Sequence, residues 1–337
     1  MGDGYMSDLY DDAMRHALSL ALRGEGRTGS NPIVGAVIID SDGQLVAEGF
    51  HAGGDHAEIV AIKSVSSIPA GSTIVVTLEP CNHTGKTAPC VDAIIAAGIS
   101  RVVYAVRDPN PIASGGAERL RAAGIEVESG ILEPAARFFN RAWLSVVERN
   151  RPLFIWKIAA TLDGKTAAAD GTSQWITSET SREFVSLLRR NSDAILIGTG
   201  TALADNPSLV PHDDEDIKNP LRVVMGNREL PSDLQIFDDR AELLLVQSHS
   251  FEILSQSLLE KGVKQVFVEA GSELGTAMLQ AGYIDEIMLF QAPTILGSGR
   301  NFVSDLGIST LTDRMDLKIL AHRQIGNDLF THMKVGK

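Results

Sequence analysis

The sequence contains one imidazole and two thiols whose types and spacing could hold a metal ion. His56 is followed by Cys81 and Cys90, and each of these cysteines comes directly after a proline. One histidine and two cysteines supply three protein ligands, which leaves the fourth position of a tetrahedral zinc ion for water. A zinc ion lowers the pKa of that water to about 7, so hydroxide is available at neutral pH. We therefore predict a catalytic zinc site at these three residues.

A carboxylate stands close to the predicted metal ligands. Glu58 follows His56 by two positions at the start of a predicted helix, so it can approach the open position without being a ligand. A carboxylate there can take a proton from water and pass it to a ring nitrogen and to the leaving ammonia. The His-x-Glu and Pro-Cys pattern is that of zinc-dependent deaminases, and Glu58 is therefore the predicted catalytic residue.

Two other interpretations of the same residues stay open. Cys81 and Cys90 could form a disulfide, or they could bind a purely structural zinc ion together with His56. In the second case His83 could supply a fourth ligand. The position of each cysteine after a proline and beside a predicted helix favours the catalytic site.

Alternating strand and helix patterns in the first half must position this chemistry. Apolar runs predict strands at 33–39, 45–50, 73–78, 101–106 and 125–127. Helical spacing of apolar residues predicts helices at 13–21, 56–62, 91–97 and 117–123. Such alternation is typical of an α/β sandwich with helices on both faces of the sheet.

The length of 337 residues exceeds what one compact core usually reaches, so two domains are expected. Pro152 ends any preceding helix, and we place the domains at residues 1–148 and 149–337. The second half is predicted to be a strand-rich α/β domain. Its predicted strands are 153–159, 194–198, 221–225, 243–247, 266–269, 284–291, 317–321 and 328–334, with helices at 181–190 and 275–280.

Composition excludes several classes of function. The chain has 30 Lys and Arg residues against 43 Asp and Glu residues, a net charge of −13, and 5% aromatic residues. Nucleic acids and anionic membranes require basic faces, so neither is an expected partner, whereas a small anionic substrate in a local basic pocket is compatible. The sequence shows no signal-peptide pattern in residues 1–12 and no apolar run of ~20 residues, which predicts a cytoplasmic protein.

The run from Thr77 to Cys90, with eight residues between the two cysteines, is a specific signature. It resembles the bifunctional riboflavin-biosynthesis enzymes, which fuse a pyrimidine deaminase to a 5-amino-6-(5-phosphoribosylamino)uracil reductase. The stretches 31–35, 108–111 and 122–125 match as well, and the resemblance extends from about Asp11 onward. It implies a cytidine-deaminase-like three-layer α/β/α domain followed by a dihydrofolate-reductase-like α/β domain. One Zn²⁺ per chain and NADPH are the implied cofactors.

The resemblance also assigns substrate-binding residues in the deaminase half. The matching positions surround the pyrimidine and its ribose phosphate in that family; they are Asn31, His51, His83, Lys86, Asp108 and Asn110. The residue types by themselves support this assignment for His83 and Lys86. These two residues form a basic loop between the two cysteines, which would hold a phosphate group locally.

In the second half, the stretches 157–164, 173–177 and 198–207 match the reductase domain of the same family. The implied cofactor-binding residues are Ala159, Trp175, Thr201, Asp205, Gly271, Ser272, Glu273, Leu274 and Gly275, with Asp205 also catalytic. The implied substrate-binding residues are Lys157, Ser173, Arg189, Leu209, His212 and Glu269. Independently of the resemblance, a glycine turn between a strand and a helix can bind phosphate through backbone N–H groups.

Four departures from the family pattern affect the second half, and one of them is Gly226-Asn227 where Asp-Ser is frequent. Asn206 stands where many relatives have Asp, Ala270 where a second glycine is usual, and His212 where a phosphate-binding arginine is expected. A histidine holds phosphate with a pH-dependent charge and without a bidentate fork. One alternative is therefore a deaminase whose second half is only a dimerisation or binding domain. Another is a nucleic-acid-editing deaminase, against which the charge of −13 speaks. We expect a homo-oligomer, with a dimer formed through the reductase domain.

Overall fold

The computed structural model describes residues 3–83, 88–211 and 219–336, with side chains from residue 9 onward. Lys86 and His212 lie outside the described residues. Contacts within the chain divide it into two compact units, Met1–Asn150 and Arg151–Lys337. Each unit is built around its own sheet, so the two are described separately.

Over its described residues, the first unit contains a five-stranded sheet and six α-helices. Its elements, in chain order, are α1 (Asp3–Leu22), β1 (Gly35–Ile39), β2 (Leu45–Phe50), α2 (Ala57–Lys63), β3 (Thr73–Leu78), α3 (Cys90–Ala96), β4 (Arg101–Val106), α4 (Gly116–Ala122), β5 (Glu126–Ser129), α5 (Glu133–Phe139) and α6 (Arg141–Arg149). The strand order is β2-β1-β3-β4-β5. Strand β1 runs antiparallel to both neighbours, whereas β3, β4 and β5 are parallel.

Two glycines show that helices cover both faces of this sheet. A Cβ atom on Gly35 would lie 2.0 Å from the carbonyl oxygen of Ala17 in α1. A Cβ atom on Gly49 would lie 2.5 Å from the carbonyl oxygen of Ala57 in α2. Gly49 pairs across the sheet with Ala36, the neighbour of Gly35, so the two glycines face opposite sides. Helices α1 and α2 therefore pack on opposite faces, as the sequence predicted.

The second unit contains an eight-stranded sheet. Its elements are β6 (Leu153–Thr161), β7 (Lys165–Ala167), α7 (Glu179–Arg190), β8 (Ala194–Gly198), α8 (Thr199–Asp205), β9 (Leu221–Met225), β10 (Leu243–Val246), α9 (Phe251–Glu260), β11 (Gln265–Val268), α10 (Ser272–Gln280), β12 (Glu286–Ala292), β13 (Arg300–Asn301), β14 (Leu317–Ile325) and β15 (Asp328–Val335). The order is β10-β9-β8-β11-β6-β12-β15-β14, parallel from β10 through β12, with an antiparallel β14–β15 hairpin at one edge.

The α/β class predicted for both halves is confirmed. The strands arise where buried, mainly apolar and β-branched residues follow one another. All six residues of β3 are buried, Thr73 and Thr77 included, and so are all five of β9, Arg222 included. The eight-stranded sheet agrees with the dihydrofolate-reductase-like fold that the resemblance implied for the second half. Among the described residues, none of the helices combines the length and the apolar character that crossing a bilayer requires.

Candidate active sites

The predicted metal ligands come together at the amino-terminal ends of two helices. His56 immediately precedes α2, and Cys90 is the first residue of α3. Cys81 follows β3, and its Sγ atom accepts a hydrogen bond from the backbone N–H of Cys90 at 3.4 Å. In the described part of the chain, His56, Cys81 and Cys90 form a group whose ligand atoms all lie within 4.8 Å of one another. The sequence therefore predicted this cluster correctly as a spatial group.

The donor set has the dimensions of a zinc site. Nδ1 of His56 lies 3.2 Å from Sγ of Cys90 and 3.5 Å from Sγ of Cys81. Nitrogen and sulfur ligands at zinc bond lengths of about 2.0 and 2.3 Å, in a tetrahedral arrangement, stand about 3.5 Å apart. The three side chains fit a zinc ion and leave one position of the tetrahedron without a protein ligand. Both cysteines are free thiols, so the disulfide alternative is not supported.

The cluster favours a thiolate at one of its sulfur atoms. The hydrogen bond from the side chain of Cys90 lowers the pKa of Cys81. The same pairing raises the pKa of Cys90. The hydrogen bond with Cys81 raises the pKa of His56, because the imidazolium is stabilised by a negatively charged sulfur. A site that stabilises negative sulfur in this way is suited to a divalent cation.

Glu58 lies in the first turn of α2 and is 3% exposed. Burial raises the pKa of Glu58 to about 7. A carboxyl group with a pKa near the working pH can both accept and donate a proton, which is the property required of a proton shuttle. Glu58 is not a member of the three-ligand group, in agreement with the prediction that it acts beside the metal rather than on it.

Two of the predicted substrate residues form one wall next to the cluster. Nδ1 of His51 lies 3.0 Å from the carbonyl oxygen of Asp55, so this nitrogen carries the proton and donates it. Nε2 of His51 therefore accepts, and the side-chain amide of Asn31 donates to it at 3.3 Å. The rings of His51 and His56 lie edge to face with centroids 5.5 Å apart. The side chain of Asn31 is thereby fixed beside the metal-binding histidine.

The Asp108–Asn110 turn is attached to the cluster through a buried carboxylate that the sequence analysis did not identify. Glu79 is 2% exposed and accepts the backbone N–H groups of Asp108 at 3.2 Å and Ala117 at 2.9 Å. Burial raises the pKa of Asp108 to about 6, and this carboxylate accepts the N–H of Asn110 at 2.9 Å. Glu79 stands two residues before Cys81, so it ties the metal ligand to the predicted substrate turn. The position of Glu79 directly after a buried strand is the sequence signal that could have identified it.

The basic loop between the cysteines is described only in part. His83 is half-buried, and its Nδ1 atom has no hydrogen-bond partner among the described residues. His83 does not belong to the three-ligand group, so the structural-zinc alternative with His83 as fourth ligand is not supported. Lys86 lies outside the described residues, and its role stays a prediction.

In the second unit, three of the predicted substrate residues form one ion cluster. Nζ of Lys157 in β6 lies 3.6 Å from Oε2 of Glu269, which directly follows β11. Arg189 in the last turn of α7 donates from Nη2 to the same oxygen at 2.8 Å and from Nε to Oε1. Burial raises the pKa of Glu269, but the charges of Arg189 and Lys157 outweigh it and lower this pKa to about 2. Glu269 lies at the carboxyl end of β11, level with Lys157 in the middle of the neighbouring parallel strand β6. The carboxyl ends of parallel strands are where α/β proteins bind ligands.

The predicted cofactor loops also lie close together. A Cβ atom on Gly271 would lie 4.0 Å from Oγ1 of Thr201, and no other side chain approaches it among the described residues. Gly271 is the residue immediately before α10 and is exposed, so its backbone is open to a ligand at a helix amino terminus. Leu274 lies 3.3 Å from the Cβ position of Gly198, at the end of β8. Ser272 is buried in the first turn of α10, and Glu273 is exposed.

The remaining predicted reductase residues have different surroundings. Trp175 is 69% exposed, with the guanidinium of Arg182 4.6 Å from its ring centroid, so it is not a core residue. Asp205 is exposed at the end of α8, and Leu209 is buried. The half-buried members of the set are Ala159 and Ser173.

Gly275 has a packing role. A Cβ atom at this position would lie 2.1 Å from Cζ2 of Trp156, so glycine is what allows α10 to lie on the tryptophan ring. The carbonyl oxygen of Ala270 accepts the indole N–H of Trp156 at 3.2 Å. Ala270 is not among the described residues with positive φ, so an alanine fits here without backbone strain. Asn206, with φ of 41°, ends α8 and accepts the N–H of Gln235 at 2.7 Å.

Comparison with known proteins assigns each half to a described family. Residues 7–106 match the cytidine and deoxycytidylate deaminase zinc-binding region, and residues 152–331 match the RibD C-terminal domain. The riboflavin biosynthesis protein RibD of Mycobacterium tuberculosis is 42% identical over 325 residues, covering 95% of each chain. RibD of Aquifex aeolicus is 37% identical over 347 residues, covering 95% of this chain and 97% of the relative.

Solved structures lead to the same family. A deaminase/reductase of Thermotoga maritima superimposes with a TM-score of 0.88 at 34% identity, covering 98% of this chain and 100% of that one. RibD of Acinetobacter baumannii superimposes with a TM-score of 0.86 at 34% identity, with the same coverage. Both halves are thus matched together in single homologous chains, which favours a catalytic second half over a binding module. The chain belongs to the RibD family of riboflavin-biosynthesis proteins, with a zinc-binding deaminase domain followed by a reductase domain.

Proposed function

We propose that this chain catalyses two consecutive steps of riboflavin biosynthesis. The first is hydrolytic deamination of 2,5-diamino-6-ribosylamino-4(3H)-pyrimidinone 5′-phosphate, which releases ammonia. The second is NADPH-dependent reduction of 5-amino-6-(5-phosphoribosylamino)uracil to its ribityl product. The observation that carries the deamination step is the buried carboxyl of Glu58 beside a three-ligand His/Cys/Cys group. The match of residues 152–331 to the RibD C-terminal domain supports the reduction step.

In the deaminase half, His56, Cys81 and Cys90 would hold the zinc ion. The ion supplies Lewis-acid activation of water when it is bound. Glu58 would take one proton from the attacking water and pass it to the ring nitrogen. It would then take the second proton from the hydroxyl group now on the ring carbon and pass it to the amino group, so that the C–N bond breaks, ammonia leaves and the carbonyl forms. The pKa of about 7 for Glu58 suits both accepting and donating a proton. At neutral pH, a carboxyl group with a much lower pKa would not accept the proton, and one with a much higher pKa would not release it.

The pyrimidine and its ribose phosphate would be bound by Asn31, His51, His83, Lys86, Asp108 and Asn110. The geometry supports this for the wall beside the cluster, where the hydrogen bond from Asn31 and the ring contact between His51 and His56 bring polar groups next to the metal ligands. Nδ1 of His83 has no hydrogen-bond partner in the part of the chain that the structure describes, and a phosphate or a hydroxyl could bind it.

In the reductase half, NADPH would lie along the loops after β8 and β11 and supply a hydride. Residues proposed to bind it are Ala159, Trp175, Thr201, Asp205, Gly271, Ser272, Glu273, Leu274 and Gly275. The open backbone at Gly271, in front of a nine-residue helix, supports a phosphate of the cofactor at that point. Asp205 is proposed as a catalytic residue beside the nicotinamide.

The sugar phosphate would be bound by Lys157, Ser173, Arg189, Leu209, His212 and Glu269. Lys157, Arg189 and Glu269 already form one network, which supports a shared task at the opened ribose. Their hydrogen-bonding groups are held in fixed positions before the substrate arrives, which lowers the entropic cost of binding. His212 is proposed to contact the phosphate in place of an arginine.

We further propose a cytoplasmic homodimer that forms through the reductase domain. Strand β14 is the edge of the eight-stranded sheet and exposes large apolar side chains, among them Ile319 at 60%. An exposed apolar edge strand is a surface that a second copy of the same sheet can cover. Sedimentation velocity of the full chain tests the proposal, which a monomer would contradict.

The test of the two activities is a coupled assay on the zinc-loaded chain. Ammonia release and NADPH oxidation are followed together after addition of the diaminopyrimidine substrate. We expect ammonia first and NADPH oxidation after a lag, because the reductase uses the deaminated intermediate. Ammonia release without NADPH oxidation, even when that intermediate is supplied directly, would support the deaminase-only alternative.

A further inference from the structure

We propose that Asn140, at the junction of α5 and α6, is a positioning residue for the deaminase substrate site. It acts through the backbone of Ile33, which precedes β1 and lies two residues after Asn31. The inference rests on the proposed function, because it concerns the placement of Asn31 at the substrate. Helices α5 and α6 were not predicted from the sequence, and the proposal gives them a task in the site.

The contact between Asn140 and Ile33 uses both ends of the amide. Oδ1 of Asn140 accepts the backbone N–H of Ile33 at 2.9 Å, and Nδ2 donates to the carbonyl oxygen of Ile33 at 2.9 Å. A side chain that binds both groups of one residue imitates the partner of an antiparallel strand. Asn140 is 7% exposed, so water does not compete freely for these bonds.

The backbone of Asn140 is itself fixed within the helix pair. Its N–H donates to the carbonyl oxygen of Ala136 in α5 at 3.2 Å, and its carbonyl oxygen accepts the N–H of Leu144 in α6 at 2.8 Å. The amide therefore projects from a rigid junction rather than from a loop. Rigid elements position functional groups more accurately than loops do.

A short chain of contacts leads from Asn140 to the metal ligands. Ile33 is two residues from Asn31, and the hydroxyl of Thr28 donates to the carbonyl oxygen of Asn31 at 2.9 Å. The amide of Asn31 then donates to His51, whose ring lies against that of His56. The segment that presents Asn31 is thus held on one side by Thr28 and on the other by Asn140. Loss of the Asn140 clamp should let Asn31 shift while the metal cluster stays intact.

The test is steady-state kinetics of the full-length, zinc-loaded chain with Asn140→Ala and Asn140→Asp. We expect KM for the diaminopyrimidine to rise about 10-fold in the alanine variant, with kcat changed by less than about 3-fold, because ground-state placement of Asn31 is lost. The aspartate variant keeps the side-chain volume and the bond from the Ile33 N–H but loses the donor to the Ile33 carbonyl. Its KM should rise as well, which keeps the test available if the alanine variant does not fold.

Two further readouts separate positioning from general damage. Zinc content and the reductase kcat/KM, measured on the same preparations, should remain at wild-type values, because the reductase lies in the other unit of the chain. Asp12→Asn, at an exposed position of α1 in the same unit, is the control and should leave KM unchanged.

Asn31→Ala distinguishes failure of this inference from failure of the proposed function. If Asn31→Ala raises KM and neither Asn140 variant does, the positioning role is wrong and the substrate role of Asn31 stands. If Asn31→Ala leaves KM unchanged, the substrate role is wrong and the positioning role fails with it. A fall in zinc content or in reductase activity that parallels the rise in KM would show a purely structural effect and would also overturn the inference.

Discussion

At the scale of single residues, the chemistry of both sites depends on carboxyl groups whose environments move their pKa in opposite directions. Burial raises the pKa of Glu58 to about 7, whereas two cations lower that of Glu269 to about 2 despite its burial. The first group can exchange a proton at neutral pH and the second cannot. Glu58 is therefore suited to proton transfer, and Glu269 to holding Lys157 and Arg189 in place.

The depressed pKa of Glu269 predicts a pH-dependent contribution to stability. The folded chain holds the carboxylate ionised down to pH of about 2, against an ordinary pKa of 4.5. Its stabilisation, on the order of 3 kcal/mol, is therefore complete above pH 4.5 and is lost as pH falls from there through 2. Glu269→Gln should be less stable than the wild type at pH 7, and the difference should shrink toward zero in acid. Urea unfolding at a series of pH values measures it, and a difference that does not vary with pH would refute the assignment.

At the scale of elements, close contacts between helices and strands position the functional loops. Helix α10 carries the predicted cofactor turn and rests on Trp156 of β6, where only a glycine at position 275 leaves room. Gly275→Ala should therefore push α10 outward, lowering stability by about 1–3 kcal/mol and weakening NADPH binding. Thermal unfolding and NADPH titration check these two effects.

The matched control for that change is Gly200→Ala in α8. A Cβ atom there would meet its nearest neighbour, Nη1 of Arg228, only at 3.7 Å. Alanine also favours a helix over glycine, so the stability of this variant should equal or exceed that of the wild type by up to about 1 kcal/mol. If both alanine variants behave alike, the contact with Trp156 is not what fixes α10.

The strands and the metal cluster could be predicted from the sequence, but several positioning residues could not. Buried strands such as β3 are runs of apolar and β-branched residues, and the cluster is marked by rare residue types at a specific spacing. Helix α5 has seven residues and buries only Ala136, so it produced almost no periodic signal. Helix α9 does have a periodic apolar pattern: Ser250 caps it, and Leu254 and Leu258 are buried. The strands and helices predicted for the second half do not include it. Glu79 and Asn140 act through backbone groups far away in sequence, which no local pattern reveals.

At the scale of the whole molecule, each of the two units contains one of the candidate sites. The zinc-binding cluster belongs to the unit Met1–Asn150, and the Lys157–Arg189–Glu269 network belongs to the unit Arg151–Lys337. The net charge of −13 is compatible with an anionic substrate where basic groups lie together, as Lys157 and Arg189 do in the second unit. The product of the first site is the proposed substrate of the second. A substitution in one unit should therefore change the activity of that unit and leave the activity of the other unit, assayed with its own substrate, unchanged.

The most direct test of this account is Glu58→Gln, assayed for ammonia release, NADPH oxidation and zinc content. We predict that ammonia release falls by about 10²–10⁴-fold, because the proton shuttle is removed, while zinc content is retained. NADPH oxidation from the diaminopyrimidine should stop as well, and addition of the deaminated intermediate should restore it to the wild-type rate. Ammonia release that survives the substitution at the wild-type rate would contradict the account.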